Sequence, residues 1–311
     1  MKKLPNPGFA VVIVFAVAGV LSLGSCSLKQ LAMDTVIDAL SEGSGSAFTA
    51  DDDPDLVGDA LPFALKLYET LLAQSPENDG LLLTTGSGFV MYANAYIQQP
   101  ADMLPTSEYA EKIVMRDRAK LLYLRGRDYL IDGLDLRHPG FIESIGTDSF
   151  ASVLESMTVD DVPYLYWAGS GWMAAIGINS FDVELGLTRE TAAALLLRAL
   201  ALDETYSGGA IHETLISYYG SMPEILGGSE EIAREHFERA VEISEGTKPG
   251  PYISLAQAVS IRNQDHEEYI ELLETALAIE TTDPDSTLIN IIFQRKAKWL
   301  LDHVGDFFLI D

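Results

Sequence analysis

Residues 229–243 read SEEIAREHFERAVEI, a stretch in which apolar side chains recur at steps of three and four positions between charged ones. This spacing places the apolar side chains on one face of an α-helix. Ala233, Phe237 and Ala240 follow a small–aromatic–small order at i, i+4 and i+7. A small residue lets a neighbouring helix approach closely, and an aromatic ring fills the gap beside it. The stretch therefore predicts one helix of a helical hairpin, with Ser229 as its N-cap.

The same order recurs elsewhere in the chain and is typical of the second helix of a tetratricopeptide unit. The approximate matches are Ala64-Tyr68-Leu71, Ala192-Leu196-Ala199 and Tyr269-Leu273-Ala276, the last following a candidate N-cap at Asp265. Each match is degenerate, so an unrelated helical bundle is the alternative, but recurrence favours divergent tetratricopeptide-like hairpins. Insertions at residues 98–107 and 223–229 make the period irregular. We predict an all-α fold in which residues 55–311 form a single domain, an α-solenoid of such hairpins.

The amino terminus has the features of a secretory signal: two lysines, an apolar run over residues 8–23, and small residues before a cysteine. The segment LGSC at residues 23–26 resembles a bacterial lipobox, in which the cysteine is lipidated and becomes the mature N-terminus. An uncleaved membrane anchor is the alternative, although the run is short for a span. We predict a lipoprotein signal peptide over residues 1–25, lipidation at Cys26, and an anchor and flexible spacer over residues 26–54.

The chain is strongly acidic, with 47 Asp and Glu against 20 Lys and Arg among 311 residues and a net charge of −27. Removal of the predicted signal peptide takes away two basic residues and no acidic one, which leaves a net charge of −29. Nucleic acid is a poor partner for such a surface, because its phosphates would be repelled. The chain has one cysteine, so no disulfide can form within it.

Sequence patterns for catalysis or metal binding are scarce. The chain has no phosphate-binding Gly-rich loop, no G-x-S-x-G turn and no H-E-x-x-H helix. Its five histidines are dispersed, and none lies four positions from another. His212 and Glu213 could in principle act as an acid–base pair, but a hydrogen-bonded helix feature is the more ordinary interpretation. We predict that the chain is not an enzyme and binds no cofactor or metal.

Aromatic residues concentrate between residues 164 and 181 and are interleaved with glycine and alanine. Large rings beside small residues can leave room for an apolar ligand, although burial in the core is the ordinary role of any single ring. A further pair of tyrosines lies on a helix that we expect to pack nearby. The candidate residues of an aromatic ligand cleft are Tyr164, Trp167, Trp172, Phe181, Tyr218 and Tyr219.

Several runs together resemble one family, the T component of tripartite ATP-independent periplasmic (TRAP) transporters. They are the lipobox, the segment Tyr166-Trp167-x4-Trp172, residues 200–212 ending at His212, and residues 223–240 with Gly227-Gly228. The resemblance implies a trimeric helical lipoprotein with a channel or cleft, which accompanies the periplasmic solute-binding P component. Trp167, Trp172, His212, Gly227 and Gly228 are the positions carried over. We expect the two glycines to form a hairpin turn.

The leading hypothesis is therefore a membrane-tethered, periplasmic accessory protein of a TRAP-type transporter. It would dock the solute-binding P component, form a homotrimer and hold an apolar ligand in a cleft. The lipid anchor could lie in the inner or the outer membrane. The alternative is a structural lipoprotein that acts as a scaffold in cell-envelope assembly and holds no small ligand.

Overall fold

The computed structural model describes residues 48–179 and 182–309, which are helical and include no β-strand. The prediction of an all-α fold is therefore confirmed, while the tetratricopeptide-like solenoid stays a prediction. The described residues all belong to one compact unit. The predicted signal peptide, the lipidation site Cys26, most of the spacer and the cleft candidate Phe181 lie outside the described residues.

The α-helices vary from single turns to eight turns in length. In chain order they are α1 (Pro54–Leu72), α2 (Asp79–Tyr92), α3 (Gln99–Asp102), α4 (Tyr109–Arg137), α5 (Phe141–Ser144), α6 (Phe150–Ser156), α7 (Val162–Ile178), α8 (Val183–Gly186), α9 (Arg189–Leu202), α10 (Ala210–Ser221), α11 (Glu230–Ile243), α12 (Gly250–Leu255), α13 (Ile261–Asn263), α14 (His266–Ala278) and α15 (Thr287–Asp302). Four 3-10 turns lie between them, at Thr106–Glu108, Val159–Asp161, Tyr206–Gly208 and Glu224–Leu226, and a fifth, Val304–Asp306, follows α15.

Two π-helical segments continue α-helices without a break. The first, π1 (Ala93–Gln98), joins α2 to α3, and the second, π2 (Ala256–Ser260), joins α12 to α13. A π turn accommodates an extra residue and so changes the direction in which the following side chains point. Such turns are found frequently at functional sites.

Consecutive long helices pack against one another, as in a series of hairpins. Helix α4 lies between α2 and α7, α7 contacts α9, and α10 packs on α11 and α12. The contact between α2 and α4 is close because glycines face each other there. A Cβ atom on Gly126 would lie 2.6 Å from the carbonyl oxygen of Gly86. Larger side chains at this crossing would force the two helices apart.

The hairpin of α10 and α11 has the turn that the sequence predicts. Gly227 has φ of +90°, a conformation that strains residues with a side chain, and a Cβ atom on Gly228 would overlap the carbonyl oxygen of Met222. The Ser229 hydroxyl accepts a hydrogen bond from the backbone N–H of Ile232 at 3.2 Å, which confirms the predicted N-cap. The N-cap predicted at Asp265 is confirmed by its bond from the Glu268 N–H.

The last long helix returns to the first. Helix α15 packs on α14 and also contacts α1. Arg295 Nη1 lies 2.8 Å from Asp55 Oδ1, across 240 positions of the sequence. The ends of the helical series therefore meet, and side chains from distant helices can share one interior.

Candidate functional site

Two of the predicted cleft residues, Tyr164 and Trp172, are buried in helix packing. The Tyr164 hydroxyl donates a hydrogen bond of 2.7 Å to the backbone oxygen of Asp79, and the Arg137 guanidinium lies 5.4 Å from its ring centre. Trp172 donates a 2.7 Å hydrogen bond from Nε1 to Thr188 Oγ1. These contacts join α7 to α2, α4 and the start of α9. The placement of both rings in a ligand cleft stays a prediction.

Trp167 belongs to a separate set of rings, formed with Tyr166 and Tyr206, which we call the aromatic trio. The ring centroids of Tyr166 and Trp167 lie 5.1 Å apart, and those of Tyr166 and Tyr206 lie 5.3 Å apart. Burial raises the pKa of Tyr166 above its usual range, and the nearby Glu213 adds to this effect. All three side chains keep some accessible surface, so the trio could contact a bound molecule.

The predicted residues Tyr218 and Tyr219 lie in another cluster, beside the family position His212. The Tyr218 and Tyr219 rings meet edge to face at 4.8 Å, and Tyr219 stacks on His236 at 5.6 Å. His236 Nδ1 lies 2.8 Å from His212 Nδ1. The structure therefore divides the described cleft candidates among three places: core packing, the aromatic trio and this histidine cluster.

The histidine pair links α10 to α11 in its uncharged form. Burial lowers the pKa of His212, and burial together with His212 lowers the pKa of His236 to about 4. At neutral pH one ring can then donate through Nδ1 and the other accept. Among the described residues, the buried Nε2 of His212 has no hydrogen-bond partner, although it lies 3.5 Å from Glu204 Oε2, an oxygen that also accepts a hydrogen bond from Arg239 Nε.

Glu213 follows His212 in the chain but faces a different environment. Neighbouring positions of a helix point about 100° apart, and Glu213 lies against α12, where a Cβ atom on Gly250 would collide with its carboxylate. Burial raises the pKa of Glu213 to about 7, an effect that Lys248 and Lys296 partly oppose. Burial lowers the pKa of both lysines. We call Glu213, Lys248 and Lys296 the inner charge cluster.

A cavity of about 240 Å³ borders this cluster at Lys296. It lies where α3 and α4 approach π2 and α15, so π1 ends beside it and π2 begins there. Its lining combines basic, amide and apolar side chains: Gln99, Asp102, Met103, Lys112, Arg116, Gln257, Lys296, Trp299, Leu300 and Phe307. None of these residues is among the predicted cleft candidates.

A second cavity, of about 320 Å³, lies between α11, α12 and α14. Two of its charged lining residues are paired with each other, since Arg234 Nη1 lies 2.5 Å from Glu268 Oε1. Arg234 also contacts Glu230 on its own helix at 2.9 Å. Phe237, the aromatic residue of the predicted helical pattern, forms part of the wall and meets Tyr252 edge to face.

Neither a metal site nor a membrane span is evident in the described part of the chain. Within residues 48–179 and 182–309, no three His, Cys, Asp or Glu side chains lie close enough together to hold a metal ion. No helix in these ranges is long and apolar enough to cross a membrane.

Comparison with known proteins identifies one family and one similar protein. Residues 50–308 match the family model of the TRAP transporter T-component. A protein of Treponema pallidum (strain Nichols), described as an uncharacterized protein, is 36% identical over 315 residues, which cover 96% of this chain and 98% of that protein. The family model therefore spans nearly all of the described helices. The chain belongs to the T-component family of TRAP transporters.

Proposed function

We propose that the chain is a membrane-tethered, periplasmic accessory component of a TRAP-type transporter, which docks the solute-binding P component. The observation that carries this proposal is the family match over residues 50–308, which supports an accessory role in TRAP transport. The predicted lipidation at Cys26 would provide the tether. T components accompany a transporter and are not a family of enzymes, in keeping with the lack of catalytic motifs in the sequence.

Exposed apolar side chains provide a docking surface. Val183 is 72% exposed, Leu187 80% and Ile225 92%, all unusual for large apolar residues. They lie at α8 and at the turn after α10, and these two regions are joined by a 3.1 Å hydrogen bond from Arg189 Nη1 to Met222 Sδ. Exposed apolar side chains that group together mark interaction sites. We assign this surface to the P component.

Two further parts of the proposal concern assembly and a ligand. The family resemblance suggests a homotrimer, and the aromatic trio offers a place for an apolar ligand. Trp167 is the predicted cleft residue that belongs to this trio. The structural scaffold without a ligand is the alternative. Native mass spectrometry of the full-length chain distinguishes the two hypotheses. The ligand-binding accessory protein predicts a trimer with the added mass of an apolar molecule, whereas a chain without added mass supports the scaffold.

Binding to the P component can be measured directly. The full-length chain, immobilised in mild detergent, is exposed to a TRAP solute-binding P component from the same organism at low and high NaCl concentrations. The acidic surface predicts a complex that weakens as salt rises. Ile225→Asp should weaken the complex at least tenfold. Leu121→Asp is the control, because it changes an exposed leucine on α4, outside the proposed surface, and it should leave the affinity unchanged. Absence of a complex at both salt concentrations would contradict the docking role.

A further inference from the structure

Three of the chain's 20 basic residues meet at the cavity between α3, α4, π2 and α15. They are Lys112 and Arg116 on α4 and Lys296 on α15, and the cavity has one acidic lining residue, Asp102. The local charge is thus opposite in sign to that of the whole chain, which carries a net charge of −27. Such a reversal needs a physical reason, because basic groups placed together repel one another.

The two α4 cations already have partners. Lys112 Nζ donates a 3.1 Å hydrogen bond to the backbone oxygen of Asp102. Arg116 Nη1 lies 3.6 Å from Asp102 Oδ1, and its Nη2 donates to the backbone oxygen of Ile178 at 3.2 Å. The Asp102 carboxylate therefore pairs with Arg116 alone, while Lys112 binds a backbone oxygen, and positive charge is left at the cavity.

Lys296 has no partner of this kind. Among the residues that the structure describes, its ammonium makes no hydrogen bond and no ion pair. The acids that face it are Asp102 from α3 and Glu213 from α10, both beyond ion-pair distance. The Lys296 side chain is half-buried and lines the cavity, so its ammonium is open to a molecule bound there. A negatively charged group would compensate this ammonium better than a neutral one.

The rest of the lining suits the organic part of a ligand. The Gln257 side chain, on π2, makes no hydrogen bond with any described residue and so keeps its amide free for one. Trp299 and Phe307 contribute ring surfaces, and Met103 and Leu300 add apolar contacts. Pockets with this composition, mostly apolar with a few convergent polar groups, are typical of small-molecule sites.

We propose that this cavity binds a compact organic anion, with its carboxylate at Lys296 and Gln257 and its apolar body against Trp299 and Phe307. An inorganic anion would make no use of the ring surfaces that Trp299 and Phe307 present to the cavity. A neutral apolar molecule would leave the ammonium uncompensated. The volume of about 240 Å³ favours a compact acid over a long acyl chain. This site is separate from the aromatic trio and does not depend on docking of the P component.

The test uses the full-length chain and four probes, measured by calorimetry and by tryptophan fluorescence. Benzoate has both a carboxylate and a ring, benzyl alcohol has the ring without the charge, sulfate has charge without a ring, and decanoate has a long acyl chain. We expect benzoate to bind more tightly than the other three. Equal or tighter binding of benzyl alcohol, sulfate or decanoate would overturn the proposal, as would absence of benzoate binding.

A matched pair of variants locates the site. Lys296→Met removes the ammonium and keeps an unbranched side chain that is one atom shorter, and it should weaken benzoate binding at least tenfold. Lys298→Met changes an exposed lysine on the same helix, paired with Asp302, and should bind as the wild type does. Equal affinities of the two variants would place the anion elsewhere. Should Lys296→Met fail to fold, Gln257→Leu, which keeps all three cations, should weaken binding several-fold, and an unchanged affinity would contradict the site.

Discussion

Replacing Glu213 by glutamine should stabilise the chain at alkaline pH and leave it nearly unchanged in acid. Burial raises the pKa of this carboxyl group to about 7 in the folded chain, compared with 4.5 for an ordinary glutamate. The folded state therefore binds a proton more tightly than the unfolded state. Its stability is largest below pH 4.5 and decreases as the pH rises towards 7, after which the loss is constant.

The magnitude follows from the two pKa values. Their difference corresponds to at most about 3 kcal/mol at pH 8 and to less than about 1 kcal/mol at pH 5. Glutamine has no charge to lose, so Glu213→Gln should raise the free energy of unfolding by these amounts. Water in the interior would reduce the value expected at pH 8. Measurements at pH 5 remain above the isoelectric point of about 4.3, which limits aggregation.

The assay is urea unfolding at the two pH values, followed by circular dichroism of the helices. Glu235→Gln, at an exposed position on α11, is the control and should change the free energy of unfolding by less than about 0.5 kcal/mol at either pH. An effect of Glu213→Gln that is equal at pH 5 and pH 8 would refute the reasoning. It would mean that burial does not penalise the charged carboxylate.

Three further predictions test the packing. Gly228→Ala should destabilise the chain by more than about 2 kcal/mol in urea unfolding, because the new Cβ overlaps the carbonyl oxygen of Met222. Gly177→Ala is the control, with open space around the new Cβ, and should be neutral or stabilising. Trp172→Ala should reduce the free energy of unfolding by about 3–5 kcal/mol and lower the melting temperature. Trp167→Ala should reduce it by less but release an apolar ligand. Equal losses of stability in the two variants would contradict the assignment of Trp167 to an accessible trio. Arg137→Met should lower the free energy of unfolding by about 2 kcal/mol, because it removes a 2.7 Å hydrogen bond to the carboxylate of Asp161, a residue that is 1% exposed. An unchanged midpoint of chemical denaturation would show that this bond contributes little.

The helical fold could be predicted because its signals are local. Apolar spacing on α11 defines which face is buried, and Ala233 and Ala240 are indeed fully buried. The hydroxyl of Ser229 and the carboxylate of Asp265 cap helices within their own first turns. The turn at Gly227 also depends on neighbouring residues alone. Each of these features is set within about one helical turn of sequence.

The cavity could not be predicted in this way because its residues come from distant positions. Lys296 lies between Arg295 and Lys298 on an amphipathic helix, where a lysine ordinarily faces solvent. It is enclosed only because α15 packs beside α3 and π2. Gln257 faces the same cavity from π2. The aromatic pattern, in contrast, drew attention to Tyr164, a ring whose hydroxyl and face are both occupied by packing contacts.

The central claim is that this chain acts as an accessory component in TRAP transport, and solute uptake tests it most directly. Uptake of the cognate radiolabelled solute is measured in cells that produce the transporter with the chain, without it, or with a Cys26→Ala variant. We expect removal of the chain to lower uptake while the amounts of the P component and membrane subunits stay constant, and the variant to restore it poorly. Unchanged uptake in its absence would contradict the account.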